Sequence, residues 1–353
     1  MLFTRKNAES AWWERHRHQD RRLFLLKRMR IKSALRKWFL DHGFIEVETS
    51  CLQTSPGNET HLHAFATQIR TASGAFHPLY LHTSPEFACK KLIAAGELKI
   101  FTFATVFRNM ERSKLHHPEF TMLEWYAANI DYEDLMDHCH QILKITSETT
   151  GSQKWSFEGN TVMAADEPER IKVADAFLSY SGIDIMSTIH KNNPQRHLLA
   201  AAARSRGIRV AKDDTWSDIF SRIIVERIEP KLNNGRPVIL DSFPICEAAL
   251  SRASPNNNSI AERFELYCCG VELANAFGEL TDPVVQRQRF EINMAQKLYI
   301  YGESYPIDEE LLLALSEMPP TSGCAIGFDR LVMLATGAQR IDQVIWTPQP
   351  KFR

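Results

Sequence analysis

Residues 263–280, RFELYCCGVELANAFGEL, constrain the fold more than any other stretch of this chain. Gly270, the adjacent pair Cys268 and Cys269, and the flanking Tyr267 and Val271 all disfavour a continuous helix. The segment therefore reads as a hairpin that turns at Gly270, and a hairpin commits the chain to antiparallel pairing. The competing reading is a helix on which Glu265, Glu272 and Glu279, seven residues apart, form a solvated stripe.

The rest of the chain agrees with the hairpin. LKIFTFATVF (98–107) alternates in strand fashion, and FIEVE (44–48) and EFTMLEWY (119–126) read as shorter strands. GCAIGFDRLVMLATG (323–337) reads as strand, glycine turn, helix. A helix is predicted over 23–40, where Phe24, Ile31, Ala34, Leu35, Trp38 and Phe39 share a face and Gly43 ends the run. Ser84-Pro85 starts a second, with serine as cap and proline at the first helical position. Further helices are predicted at 127–150 and near 195–206. Strands outnumber what a bundle needs and do not alternate regularly with helices. The pattern predicts an α+β fold, an antiparallel β-sheet flanked by helices. Residues 150–262, the least informative stretch, are read as a helical insertion. The predicted organisation is a basic N-terminal extension, 1–22, followed by one catalytic domain, 23–353.

Charge and cysteine content exclude several classes. The 353 residues carry 42 Lys and Arg against 43 Asp and Glu, a balance unlike that of a nucleic-acid coat protein. The seven cysteines are odd in number and scattered, without a C-x-x-C, so they read as reduced thiols. The N-terminus lacks the apolar core of a signal peptide, and no run of about 18 apolar residues occurs, which predicts a cytoplasmic protein without a membrane span. No P-loop, G-x-G-x-x-G, H-E-x-x-H or G-x-S-x-G is found. A nucleotide, if used, must be held by another scaffold.

Three segments carry chemistry. FRNMERSKLHHPEFTMLEWY (107–126) brings Arg108, two histidines, an aromatic and a carboxylate within 20 residues. The hairpin carries the three glutamates, and GFDRLVML (327–334) sets Arg330 in the first turn of a helix. Singly, each has a plain explanation: the arginines as surface residues, Phe120 as core, His116 and His117 as a polar loop. Together they resemble motifs two and three of the class II aminoacyl-tRNA synthetases, with the strand pair between them. HGFIEVETSCL (42–52) resembles motif one, whose helix and strand build a dimer interface. HPEFTMLEWY, with TSPEF upstream and ELANAF-x-EL downstream, is similar to the lysyl branch. The resemblance covers roughly residues 23–345. A lysyl-tRNA synthetase also carries an N-terminal anticodon-reading domain, for which a motif-one strand near residue 44 leaves no room. The chain thus resembles the elongation factor P lysyltransferase family, whose members activate lysine, preferentially (R)-β-lysine, and transfer it to a lysine side chain of elongation factor P.

That resemblance implies residue roles, with ATP and Mg²⁺ as cofactors. Arg108 matches the arginine that bridges the α-phosphate and substrate carboxylate, and Arg330 the one on the γ-phosphate side; these are the two catalytic candidates. Asn109, Met110, His116, His117, Phe120, Glu265, Leu266 and Gly327 complete the implied ATP site, with Phe120 beneath the adenine and Gly327 admitting the nucleotide closely. Glu265 and Glu272 match the carboxylates that hold Mg²⁺. Glu86, Glu279 and Tyr126 match residues around the distal ammonium of the amino acid. Ser84 and Glu124 match those nearer its other amine, and Pro85, Glu272, Asn275 and Ala325 fall in the same site. Such a surplus of acids fits a cationic substrate. Ala325 stands where lysyl-tRNA synthetases have glycine and the lysyltransferases alanine, which fits the shifted amine of β-lysine. A homodimer, elongation factor P as protein partner, and no reading of a tRNA anticodon are also implied. No residue stands out as the base for the acceptor amine.

The chain departs from the family pattern at four positions. Met110 replaces a glutamate that contacts the adenine edge, His117 replaces an asparagine, Ser50 a motif-one proline, and Ala276 a glycine. ATP binding with weaker discrimination of the base is the resulting hypothesis, with Glu111 as a substitute for the missing glutamate. Two other readings stay open: a free-standing synthetase core acting on another amine, and a catalytically silent binding module. Between Arg5 and Lys37 lie 12 basic and three acidic residues, 12 − 3 = +9. This basic arm is read either as steering an acidic protein partner or as a solvated helix.

Overall fold

The computed structural model describes residues 11–232 and 234–349; residues 1–10 of the predicted extension lie outside the described residues. Helix α1 (Arg15–Asp41) contains the predicted 23–40 helix but starts eight residues earlier and crosses residue 22 without a break. Its buried face, Arg21, Leu25, Arg28, Ile31, Leu35 and Phe39, recurs every three or four residues. The early turns have no apolar stripe to announce them. They are held from the far end of the chain, where the Arg21 guanidinium donates to the main-chain oxygens of Gln343, Ile345 and Trp346. Gly43, at φ 79°, lets the chain leave the helix.

A two-residue strand β1 (Ile45–Glu46) follows, then a small three-stranded sheet of β2 (Leu52–Gln53), β3 (Phe65–Arg70) and β4 (Phe76–Leu81) in the order β2-β4-β3. Helix α2 (Glu86–Ala94) starts where Ser84-Pro85 predicts. The Ser84 hydroxyl accepts from the Glu86 amide at 3.0 Å, and Pro85 occupies the capping position itself. Strands β5 (Lys99–Phe107) and β6 (Glu119–Ala128) and helix α3 (Asp134–Thr150) follow.

Residues 150–262 are not simply helical. Strands β7 (Glu169–Lys172) and β8 (Val238–Asp241) pair in parallel at the edge of the main sheet, so the insertion proper lies between them. It holds helices α4 (Arg196–Ser205) and α5 (Trp216–Ile223) and encloses a separate core with Phe177, Trp216 and Phe220. Thr215 and Asp218 cap α5 reciprocally. The strands escaped the sequence because each is four residues long.

The predicted hairpin is present as β9 (Arg263–Cys268) and β10 (Val271–Gly278), turning through Cys269 and Gly270, both at positive φ. Helix α6 (Pro283–Tyr301), capped by Asp282, and α7 (Glu309–Glu317) lead to β11 (Thr321–Gly327) and α8 (Phe328–Thr336). The eight-stranded sheet has the order β1-β5-β6-β11-β10-β9-β8-β7, antiparallel except for its two outer pairs. This is the predicted α+β arrangement. One face of the sheet packs Leu123, Trp125, Phe264, Leu266, Ala274, Ala276 and Ile326 into the main core, with side chains of α1, α3 and α8. The other face is left for the site. Among the described residues no helix is long and apolar enough to cross a membrane.

Candidate active site

Strand register assembles the site. Thr102, Glu124, Ala325, Asn275 and Glu265 are successive partners across β5, β6, β11, β10 and β9, so they share one face. Two residues along, Tyr126, Gly323, Phe277 and Arg263 form a second row on that face. Glu272 reaches it by an irregularity: the register shifts between Leu266 and Tyr267, which pair with Ala274 and Glu272. Without this bulge at Leu273, Glu272 would face the core with Ala274 and Ala276.

These rows floor a cavity of about 400 Å³. Of the sequence-predicted site residues, Ser84, Glu86, Arg108, His116, His117, Phe120, Glu124, Tyr126, Glu272, Asn275, Glu279, Ala325, Gly327 and Arg330 all line it. Residues spread over nearly 250 positions of sequence thus meet in one space. Five do not line it. The Leu266 side chain is fully buried in the core on the opposite face of β9. Met110 is 76% exposed, at φ 65°, and its neighbour Glu111 enters the lining instead. Asn109 uses its side-chain oxygen to accept from the Met110 amide at 2.9 Å, Pro85 caps α2, and Glu265, on the site face of β9, is taken up by Arg263.

One end of the cavity is arginine-rich. Arg330 donates to the main-chain oxygens of Leu115 (3.3 Å) and Glu272 (2.9 Å) and to His116 Nε2 (2.7 Å). Since the guanidinium can only donate, His116 is neutral and its Nδ1–H points to Ser113 Oγ at 2.7 Å. Burial and the nearby Arg330 charge both lower the His116 pKa. Arg108 lies over the Phe120 ring, 5.5 Å from its centroid, and donates through Nε to the Thr83 carbonyl at 3.3 Å. Its two terminal nitrogens make none of the hydrogen bonds found among the described residues, leaving a planar fork for an anion. His117 donates through Nδ1 to the Glu119 carbonyl at 2.6 Å and accepts from the Gln349 amide at 3.1 Å, so its ring is fully used.

The other end is acidic. Glu124 accepts from Ser84 Oγ and from Tyr126 OH, each at 2.7 Å. Burial pushes it up to about 8 against the opposing pull of those hydrogen bonds. Lys90, which the sequence reading missed, sits between Glu86 (2.6 Å) and Glu279 (2.7 Å). Burial alone would lower the Lys90 pKa, but the two carboxylates raise it. Glu279 is itself pushed up to about 7 by burial, with Glu86 adding to the shift and Lys90 opposing it. Gly323 was also missed: a Cβ there would strike the Tyr126 ring and Glu279 Oε1, so glycine keeps this end open. Its signal is long-range register, invisible along the chain. At Gly327, by contrast, a Cβ would meet only Arg330 at 3.5 Å, so packing within the chain does not require glycine.

Glu272 and Glu265 are the candidate metal ligands. Burial, then the neighbouring Glu265 charge, push Glu272 up to about 7, which a cation would reverse. Glu265 is engaged by Arg263 at 2.6 Å and Tyr267 OH at 2.7 Å, though each carboxylate oxygen keeps a lone pair. Among the described residues no cluster of three or more His, Cys, Asp or Glu side chains could hold a metal ion. Two carboxylates still fit Mg²⁺, which usually takes one or two from protein and the rest from phosphates and water.

An antiparallel sheet bearing an arginine pair at one end of its open face and a carboxylate cluster at the other defines a synthetase-type catalytic domain. Residues 6–351 match the family model of the class II tRNA synthetases for D, K and N. The chain belongs to this family and, within it, to the group of elongation factor P–(R)-β-lysine ligases. It is 36% identical to the ligase of that name from Sodalis glossinidius over 324 residues, 91% of this chain and 93% of the relative. The Proteus mirabilis ligase is 37% identical over 328 residues (92% and 94%), and one from Haemophilus influenzae 35% over 323 (91% and 93%).

Proposed function

We propose that the protein uses ATP to activate (R)-β-lysine, or lysine, as an aminoacyl adenylate and transfers it to the ε-amino group of a lysine on elongation factor P. The observation that carries this reading is the two-ended cavity, in a chain similar to ligases of that name over nine-tenths of its length. Activation joins two anions, the amino-acid carboxylate and the α-phosphate, and needs them held in line. Arg108 would bridge them and Arg330 would take the distal phosphates, with Phe120 stacking the base. Neutral His116 keeps Arg330 oriented without adding a second charge. Glu265 and Glu272 would hold Mg²⁺, which supplies positive charge to the phosphates. At the other end Glu86 and Glu279, spaced by Lys90, would receive the distal ammonium, and Glu124 with Ser84 would face the nearer amine. Asn275, Tyr126 and Ala325 shape the space between.

For the second step the acceptor lysine must attack as the free amine, although its ordinary pKa is near 10.4. Glu124, once ionised, or the adenylate's own phosphate oxygen would take that proton. We also infer a cytoplasmic homodimer. Exposed apolar side chains on β1 to β4, Ile45, Leu52, Ile69 and Phe76, support a partner surface there; size-exclusion chromatography with light scattering tests the dimer.

Pyrophosphate exchange in the presence of β-lysine, α-lysine or neither tests activation. Incubation with labelled β-lysine and purified elongation factor P tests transfer. Exchange without labelled protein would leave a synthetase core for another amine, and no exchange at all would leave a silent binding module.

A further inference from the structure

We infer that Glu59 is a specificity-determining carboxylate of the acidic end, binding the substrate ammonium nearer the reacting carboxylate. The inference deepens the proposed function and rests on it. Glu59 belongs to none of the motif segments; it sits between β2 and β3 and lines the cavity. Its Oε2 is buried and has no hydrogen-bond partner. The other acids at this end have a cation or donors beside them: Glu86 Oε1 and Glu279 Oε2, likewise without a hydrogen-bond partner, are ion-paired with Lys90, and Glu124 accepts from Ser84 and Tyr126. A buried carboxylate oxygen without a donor is costly, and a bound cation removes that cost. Burial, then the Glu86 charge, raise the Glu59 pKa, while a hydrogen bond from its own backbone amide and the charges of Arg108 and Lys90 pull the other way.

Position selects which amine. Gly57, at φ 124°, folds the chain back so that Glu59 Oε2 lies over it, 2.7 Å from where a Cβ would stand; Thr83 Oγ1 is 3.0 Å from the same point. Glu59 is therefore beside the Thr83–Ser84 corner. That corner also receives Arg108 at the Thr83 carbonyl, the residue placed on the substrate carboxylate. The distal ammonium already has Glu86 and Glu279, the pair bridged by Lys90.

The segment bearing Glu59 is held rigidly. Fully buried Lys297 of α6 donates to the carbonyls of Thr60 (3.1 Å) and Leu62 (2.8 Å) and lies over the rings of Tyr301 and Tyr305. Asn58 donates to the Pro306 carbonyl at 3.3 Å, and the Ala64 amide to Tyr305 OH at 2.9 Å. A carboxylate fixed in this way has little orientation to lose on binding.

In α-lysine the nearer amine is on the carbon next to the carboxylate; in β-lysine it is one carbon further away. In 6-aminohexanoate it is missing, while the carboxylate and distal amine remain. Calorimetric titration of wild type and Glu59→Gln with β-lysine, α-lysine, 6-aminohexanoate and ATP separates the possibilities. The variant is expected to lose roughly 10- to 100-fold in β-lysine affinity while keeping its affinity for 6-aminohexanoate and ATP. Its melting temperature without ligand should stay level or rise, since an unsatisfied buried charge has gone. Undiminished β-lysine binding would overturn the inference. So would an equal loss for 6-aminohexanoate, or a lowered melting temperature with loss of all ligands, either of which marks a structural residue. Wild type that binds neither lysine would overturn the proposed function, and this inference with it.

Discussion

The Lys90 ammonium lies 2.7 Å from Glu279 and 2.6 Å from Glu86, and the side chains of Lys90 and Glu279 are each only 1% exposed. Lys90 reaches the cavity wall from the second turn of α2, whereas Glu279 follows β10 almost 200 residues later. One buried cation thus holds two carboxylates apart in the wall.

Replacing Lys90 by methionine keeps the volume and leaves those carboxylates facing each other. Breaking one side of a buried ion pair costs about 3–5 kcal/mol, so the urea midpoint of Lys90→Met should fall accordingly. Lysine or β-lysine, which carries an ammonium to the same place, should restore more stability to the variant than to wild type. Equal ligand-induced shifts in the two proteins would show that the substrate ammonium does not meet this pair.

What the sequence disclosed and what it hid follow a physical line. The hairpin at Gly270, the Ser84-Pro85 helix start and the arginine at 330 depend on local chemistry, and all are visible in short windows. The contributions of Lys90, Glu59 and Gly323 depend on contacts between distant segments. Lys90 reads as one more polar residue in CKKLIAAG, and Gly323 matters only because β6 and β10 bring Tyr126 and Glu279 against it. The seven-residue glutamate spacing is a third kind of case. Its meaning turns on the bulge at Leu273, which no spacing rule predicts but which decides that Glu265 and Glu272 are neighbours.

The buried carboxylates of the cavity set a pH dependence. Glu124 is pushed up to about 8, and Glu272 and Glu279 up to about 7, mainly by burial. In the unfolded chain a glutamate titrates near 4.3. The native protein therefore holds protons that the unfolded chain has released. Stability from these groups is complete below that unfolded value and is lost as pH rises through about 7 to 8. The urea midpoint of the ligand-free protein should fall over that interval. Binding of a diammonium substrate prefers the ionised carboxylates, so its affinity should rise over the same interval. Binding near neutral pH should release protons, read as a calorimetric enthalpy that depends on the ionisation heat of the buffer. Buffer-independent enthalpy would contradict this assignment.

Arg28 ties the nucleotide end to α1. Its guanidinium pairs with buried Asp329 and donates to Thr121 Oγ1 at 2.8 Å, while Asp329 also accepts the Thr121 amide at 3.0 Å. Asp329 precedes Arg330, so the pair positions the first turn of α8. Arg28→Met strands a buried carboxylate and should destabilise by about 3–5 kcal/mol, with pyrophosphate exchange reduced through Arg330. Adding Asp329→Asn should recover much of the stability. Additive losses in the double variant would show that the two side chains are not coupled.

Recognition of the base falls to Glu111 rather than to Met110. Met110 stands where the family has a glutamate on the adenine edge, which by itself suggests weak discrimination between ATP and GTP. The backbone at Met110 alters that reading: at φ 65° its side chain turns out to solvent, and Glu111 lines the cavity near His116. A carboxylate there can accept from the exocyclic amine of adenine, whereas guanine presents a carbonyl oxygen to the same place and is repelled. Wild type should therefore prefer ATP in pyrophosphate exchange. Glu111→Ala should lose that preference by raising the KM for ATP, with the KM for lysine unchanged, because Glu111 lies at the opposite end from Glu86 and Glu279. A neutral hydrogen bond contributes about 0.5–1.5 kcal/mol and one to a charged group about 1.5–3 kcal/mol, so the ratio of ATP to GTP efficiency should drop about tenfold or more. Comparable use of ATP and GTP by wild type would mean that Glu111 does not read the base. Discrimination would then fall to Phe120 stacking, which every purine satisfies.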